Sequence, residues 1–194
     1  LAACNGAGTG ASTEPAAQDA PATAADAASD ARFADLSKRW LDGWLKLNPV
    51  NATQQGDHRF DAELDDLSAE GRKRYVDFAK TMLAELDAID AGKLSRENQI
   101  DAAILRNQIQ SDIWGMDTLQ SWAWDPQAYA GLAGGAIYNL MAREFAPLPD
   151  RLKSATARME KLPTLFAQMR ENSDPARVPR IHAGTVAKQN GGVI

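Results

Sequence analysis

From Arg32 onward the apolar positions recur every three or four residues, the period of an α-helix rather than a strand. Phe33, Leu36, Trp40, Trp44 and Leu47 share one helical face. Asn48-Pro49 ends that helix, because a residue before proline avoids the α region. Ser68 is placed to cap a second helix with a stripe of Tyr75, Phe78, Met82, Leu83, Leu86 and Ile89, and Gly92 stands where a C-terminal glycine is expected. Ser95 caps a third, whose apolar residues are Ile100, Ala103, Ile104, Ile109, Ile113 and Trp114. The short Ala91–Leu94 connection makes these two helices antiparallel neighbours.

Beyond Trp114 the pattern loosens. Trp122, Trp124, Pro126, Tyr129 and the glycines at 131, 134 and 135 predict an aromatic-rich turn entering a short helix through Ile137, Leu140 and Met141. Pro147 and Pro149 precede a further long helix whose predicted inner face is Leu152, Ala155, Met159, Leu162, Phe166 and Met169. Pro163 falls inside it and is expected to kink it, since its ring removes a backbone bond. No stretch alternates with period two over β-branched residues, so the expected fold is all-α: a bundle of four or more helices behind a disordered N-terminal tether.

Charge separates tether from body. Residues 5–31 hold eleven Ala and four acidic residues, with no basic, large aliphatic or aromatic side chain. Such a segment cannot offset its ordering entropy by burial. All 21 basic residues therefore lie in 32–194, the expected helical domain, and the whole chain of 194 residues carries a net charge of −5. That balance argues against a nucleic-acid surface, which needs clustered basic charge. One cysteine excludes an internal disulfide and a four-cysteine zinc site, and two histidines leave little for a His-based metal centre. No run of about 18 apolar residues is present to span a bilayer.

The single cysteine has a reading of its own. Leu1-Ala2-Ala3-Cys4 resembles a bacterial lipobox, an aliphatic and two small residues before the cysteine that receives lipid. Residues 1–4 are thus read as the end of a lipoprotein signal and Cys4 as the lipid-attachment site, with 5–31 as the spacer from the membrane. Asn5 carries no inner-membrane retention signal, so the expected place is the periplasmic side of the outer membrane.

Catalytic signatures are lacking. There is no Gly-x-Ser-x-Gly and no His-Glu-x-x-His. An EF-hand starting at Asp61 fails, with Asp66 at its glycine position and Arg72 at its glutamate position. The run Gly56–Asp66 reads as a solvated turn-rich loop leading into the second helix, and His182, without an acidic neighbour in sequence, as a surface or partly packed residue. Trp40, Trp44 and Trp114 read as core. Trp122 and Trp124 stand two apart, so a helix cannot bury both on one face; with Tyr129 they are the candidates to line a groove. No catalytic or metal-ligating residue is assigned.

The segment Asn48-Pro49-Val50-Asn51-Ala52-Thr53-Gln54-Gln55-Gly56-Asp57-His58-Arg59-Phe60-Asp61, then Leu64-Asp65-Asp66-Leu67-Ser68, resembles the opening motif of the bacterial domain-of-unknown-function family 885, many of whose members are expected lipoproteins. Ile100-Asp101 with Leu105, Asp125-Pro126-Gln127-Ala128-Tyr129, and Arg158-Met159-Glu160-Lys161-Leu162-Pro163 with Arg170 and Asn172 resemble later landmarks. The resemblance implies a large helical fold like that of zinc-dependent gluzincin peptidases, with a His-Glu-x-x-x-Gly-His type motif in the second half. No such motif occurs in 194 residues, so zinc is implied for the full-length family and no zinc ligand falls on this chain.

Two functions follow. In the first, the chain is the N-terminal helical part of a lipid-anchored zinc-peptidase-like envelope protein, shaping a peptide-substrate cleft and inactive alone. Its partners are then the membrane through Cys4 and a C-terminal half. In the second it is a self-contained, non-enzymatic helical lipoprotein that binds a ligand or partner. Exposed apolar faces favour the first and a closed bundle with a polar exterior the second.

Overall fold

A computed structural model describes residues 26–193; Cys4 and most of the expected tether lie outside the described residues. The described chain is helical throughout, with no strand: α1 (Ala27–Leu47), α2 (Pro49–Gln55), α3 (Ala69–Asp87), α4 (Arg96–Trp114), α5 (Ser121–Trp124), α6 (Pro126–Met141), α7 (Leu148–Asn172) and α8 (Arg180–Val193). Helix α1 begins at Ala27, ahead of the expected Arg32, because the Asp26 carboxylate accepts from the Ala28 amide and the following alanines favour helix. Asn48 ends α1, but Pro49 also starts α2, since the first helical position needs no amide proton. Gly56 closes α2 at φ +89°, a left-handed conformation that suits glycine.

Ser68 and Ser95 cap α3 and α4 as expected, accepting from the Gly71 and Asn98 amides. Gly71 permits a close approach: a Cβ there would lie 2.0 Å from the Asp66 carbonyl oxygen. Gly92 is not a helix cap. Helix α3 ends at Asp87, and Gly92 sits in a single 3-10 turn (Ala91–Lys93) whose Asp90 side chain accepts from its amide.

Helices α1, α3 and α4 form one layer. Phe33, Leu36, Leu86, Ile89, Leu94 and Ala102 close one end of its core, and Trp40, Ala79, Met82 and Ile109 the other. Trp40 stacks on Phe78 at 5.2 Å between ring centroids. The second unit packs α6 against α7 around Tyr129, Ala133 and Leu165, with Leu64 and Leu67 of the preceding loop against it. Helix α6 is longer than the short helix expected.

Two helices turn differently from the pattern. In α4, Ile109 is buried, but Ile100, Ile104 and Trp114 lie on the outside, Ile104 63% and Trp114 54% exposed. Trp114 is therefore not core. In α7 the buried line is Arg151, Ala155, Arg158 and Leu165, while Leu152 and Met159 of the expected stripe face solvent. Arginines occupy inward positions because their donors meet carbonyl oxygens there, the condition under which a charge tolerates burial. Pro163 lies inside α7, which continues through it to Asn172.

Candidate functional site

The loop after α2 is exposed along much of its length, as expected, but turns two carboxylates inward. Asp61 and Asp65 are both buried, as are Thr53 and Arg158 beside them. Arg158 donates to the carbonyls of Glu63 (2.8 Å), Ala136 (2.9 Å) and Pro49 (3.0 Å) and to Thr53 Oγ1 (2.7 Å). One guanidinium thus ties together α2, the loop, α6 and α7. Thr53 donates to Asp61 (2.6 Å), whose other oxygen meets His58 Nδ1 (3.0 Å). The His58 ring stacks on Phe145, 3.6 Å between centroids. Asp65 accepts from the Val50 amide (3.1 Å) and supplies the carboxylate at the start of α2 that Asn48 does not. Burial outweighs that bond and the Arg158 charge, pushing the Asp65 carboxyl up to about 6.

This cluster contains Thr, His and Asp but is not built for nucleophilic attack. The Thr53 hydroxyl is 2% exposed and aims its proton at Asp61 rather than at the imidazole. It is a structural clasp, with acceptors matched to donors.

An aromatic-lined feature open to a ligand lies elsewhere, in a groove of about 370 Å³ where α1, α3, α4, α5 and α6 meet. Trp44, Tyr75, Trp122 and Tyr129 contribute its aromatic surface, and Gln108 and Asp112 its polar side. The groove exists because α4 does not end cleanly. Its last turn widens into a π-helical segment, Gly115–Leu119, and Gln120 follows at φ +53°, the one non-glycine residue with positive φ among those described. This break swings α5 back, so that the Trp122 indole donates to the Met116 carbonyl (3.0 Å).

Polar contacts fix the walls. The Tyr75 hydroxyl donates to Asp112 (2.6 Å), and Gln108 donates to the other carboxylate oxygen (2.8 Å). Burial first, then the Asp112 bond, holds the Tyr75 phenol far above its usual range. The Tyr129 hydroxyl donates to the Trp122 carbonyl (2.8 Å) and accepts from Asn172 (2.9 Å). Asn172 also accepts from Arg72 (2.6 Å), whose guanidinium stacks 3.8 Å from the Trp122 ring centroid. Desolvation lowers the Arg72 pKa without discharging it.

Of the three expected groove residues, two meet there. Trp122 and Tyr129 line it, whereas Trp124 turns away, donates to the Leu119 carbonyl (3.0 Å) and packs near His182. His182 has an acidic partner after all, Asp125 at 2.9 Å, 57 residues away in sequence. From the sequence Tyr75 reads only as part of an apolar helix stripe, and Asp112 carries no signal. Each reads as an ordinary helix position, and only the α3–α4 pairing sets them face to face.

Zinc, implied by the family resemblance, can be tested against the side chains. Among the described residues no three His, Cys, Asp or Glu groups converge to hold a metal ion. The two histidines are engaged by different carboxylates, Asp61 and Asp125. The described residues do not fit a zinc site.

An all-helical protein with a groove at a broken helix is the class these features define. The chain belongs to the family described as bacterial protein of unknown function (DUF885), whose profile matches residues 49–194. It is also similar to a solved structure from Shewanella oneidensis, titled a "putative lipoprotein of unknown function", at 32% identity and a TM-score of 0.77. That match covers 84% of this chain and 29% of the other, so the chain spans less than a third of its structural relative. No curated protein matches it.

Proposed function

We propose that this chain is the N-terminal helical portion of a lipid-anchored envelope protein related to zinc metallopeptidases, in which it forms one wall of a peptide-substrate cleft and supplies no metal ligand. The observation that carries this reading is apolar surface left uncovered in two places. One is α4 with Ile100, Ile104 and Trp114; the other is α7 with Leu148, Leu152 and Met159. Soluble domains rarely leave such stripes without a covering element. A trough between α1 and α4 adds to it, where the Ser37 hydroxyl is buried without a hydrogen-bond partner.

The lipoprotein title of the structural relative and the Leu1-Ala2-Ala3-Cys4 tetrapeptide both support anchoring through Cys4, with the outer membrane's periplasmic face as the place. Among the described residues no helix is long and apolar enough to cross a membrane. Any hydrolysis then belongs to groups outside these residues, and the wall contributes shape and substrate contacts. A self-contained binding lipoprotein would leave the α4 and α7 stripes without a role.

The test is the intact mass of the native protein extracted from membranes with detergent. The expected result is a mass well above 20.9 kDa, lipid on Cys4, and peptide hydrolysis that a chelator abolishes. A lipid-shifted mass near 20.9 kDa without hydrolysis would overturn the peptidase reading.

A further inference from the structure

We infer that the groove at the end of α4 is a recognition site for a cationic group on an apolar arm, the lysine or arginine side chain of a peptide, held by Asp112 among aromatic rings. The inference deepens the cleft reading above by naming the substrate feature this wall would select.

The polar end of the groove is one carboxylate. Asp112 accepts hydrogen bonds from two neutral donors, Tyr75 and Gln108, and has no salt-bridge partner among the described residues. Neutral donors orient a carboxylate and leave its charge uncompensated. In a partly desolvated site such a charge attracts a mobile cation more strongly than it would in water. Around it, the half-buried Trp44 and Trp122 offer ring faces and apolar edges suited to the methylene stem and the charged head of a basic side chain, with the buried Tyr129 behind them. The molecule already shows this chemistry beside the site, since the Arg72 guanidinium lies 3.8 Å from the Trp122 ring centroid. That cation is committed to Asn172 and the Leu67 carbonyl and does not pair with Asp112. The groove's volume of about 370 Å³ fits a side chain rather than a folded surface.

The site is also held ready. The Tyr75–Asp112 bond at 2.6 Å and the Asn172–Tyr129–Trp122 chain of bonds fix both walls, so binding needs little ordering of the protein. An acidic or anionic ligand would meet Asp112 directly and is excluded by the same charge.

The experiment uses the 194-residue chain and four probes: acetyl-Ala-Lys-Ala-amide, its Nε-acetyl-lysine counterpart, acetyl-Ala-Arg-Ala-amide and spermidine. Binding is followed by calorimetry and by the indole N–H resonances of the five tryptophans. Both basic peptides are expected to bind and to move the Trp44 and Trp122 resonances, and the acetyl-lysine peptide to bind at least tenfold more weakly. Spermidine binding far more weakly than the peptides assigns the cation to a peptide side chain; spermidine binding as tightly overturns that assignment. Asp112→Asn, which keeps an acceptor for Tyr75, is expected to lower affinity for the basic peptides at least tenfold and to remove the preference over acetyl-lysine. Equal binding of lysine and acetyl-lysine peptides, unchanged affinity in Asp112→Asn, or unmoved Trp44 and Trp122 signals overturns the inference. Circular dichroism of the variant keeps a folding failure from being scored as lost binding. These are equilibrium measurements on this chain, so they fail or succeed independently of whether the native protein hydrolyses peptides.

Discussion

At the scale of single residues the molecule depends most on Arg158. Its guanidinium is fully buried and meets four carbonyls and the Thr53 hydroxyl, with Asp61 and Asp65 as nearby counter-charges. Arg158→Ala removes the donors and leaves buried acceptors and carboxylates unpaired, an effect of about 3–5 kcal/mol. Arg158→Lys is expected to recover little, because one ammonium cannot reach acceptors that a planar fork spans. Urea unfolding of the two variants measures both. Asp65 contributes with the opposite sign. Its folded-state value of about 6 lies above the ordinary carboxylate range, so the folded protein holds a proton that the unfolded chain releases. Stability from this group is therefore present in acid and lost as pH rises through about 6, by on the order of 2–3 kcal/mol. Asp65→Asn keeps an acceptor for the Val50 amide and should flatten the pH dependence of unfolding between about 4 and 6; an unchanged slope would mean that another group titrates there. None of this was legible beforehand. An arginine in a helix pattern counts as polar, and an aspartate-rich loop counts as solvated, unless the partners far away in sequence are known.

At the scale of elements the sequence is a better guide, and its failures have a common cause. Proline after Asn48 and serine caps at 68 and 95 act through local backbone chemistry, so the boundaries they set are found where expected. The face that each helix buries depends on its neighbours. Helix α4 has apolar residues on more than one side, and periodicity cannot tell which side meets α3. Helix α7 turns two arginines inward, which shifts its buried line off the Leu152–Met159 stripe. The difference is measurable. Ile109→Ala is expected to cost about 2–5 kcal/mol because it opens a fully buried site. Ile104→Glu, five residues earlier in the same helix but exposed, should stay within about 0.5 kcal/mol in thermal unfolding. A large loss for Ile104→Glu would place that side chain in a core. The groove was half legible for the same reason: aromatic spacing drew attention to Trp122 and Tyr129, while Tyr75 and Asp112 become neighbours only through helix pairing.

At the scale of the whole molecule two packed units meet at one clasp and one groove. The layer of α1, α3 and α4 has its own apolar core, and α6 with α7 has another. Between them run α2, the loop holding Asp61 and Asp65, and the bonds that Arg158 makes to Pro49, Thr53 and Glu63. The groove takes Trp44, Tyr75 and Asp112 from the first unit and Trp122 and Tyr129 from the second side of the α4 break. Binding there thus requires the two units to keep their mutual position, which small cores cannot enforce without the polar clasp. Arg158→Ala is therefore expected to do more than lower stability. Amides of α6 and α7 should lose hydrogen-exchange protection before those of α3 and α4, and unfolding followed by Trp fluorescence and by circular dichroism should cease to coincide. Binding of a lysine peptide at the groove should weaken in parallel, although Arg158 does not line it. If exchange protection instead falls uniformly across both units and the two unfolding curves still coincide, the molecule is a single cooperative core, and the clasp acts on stability alone.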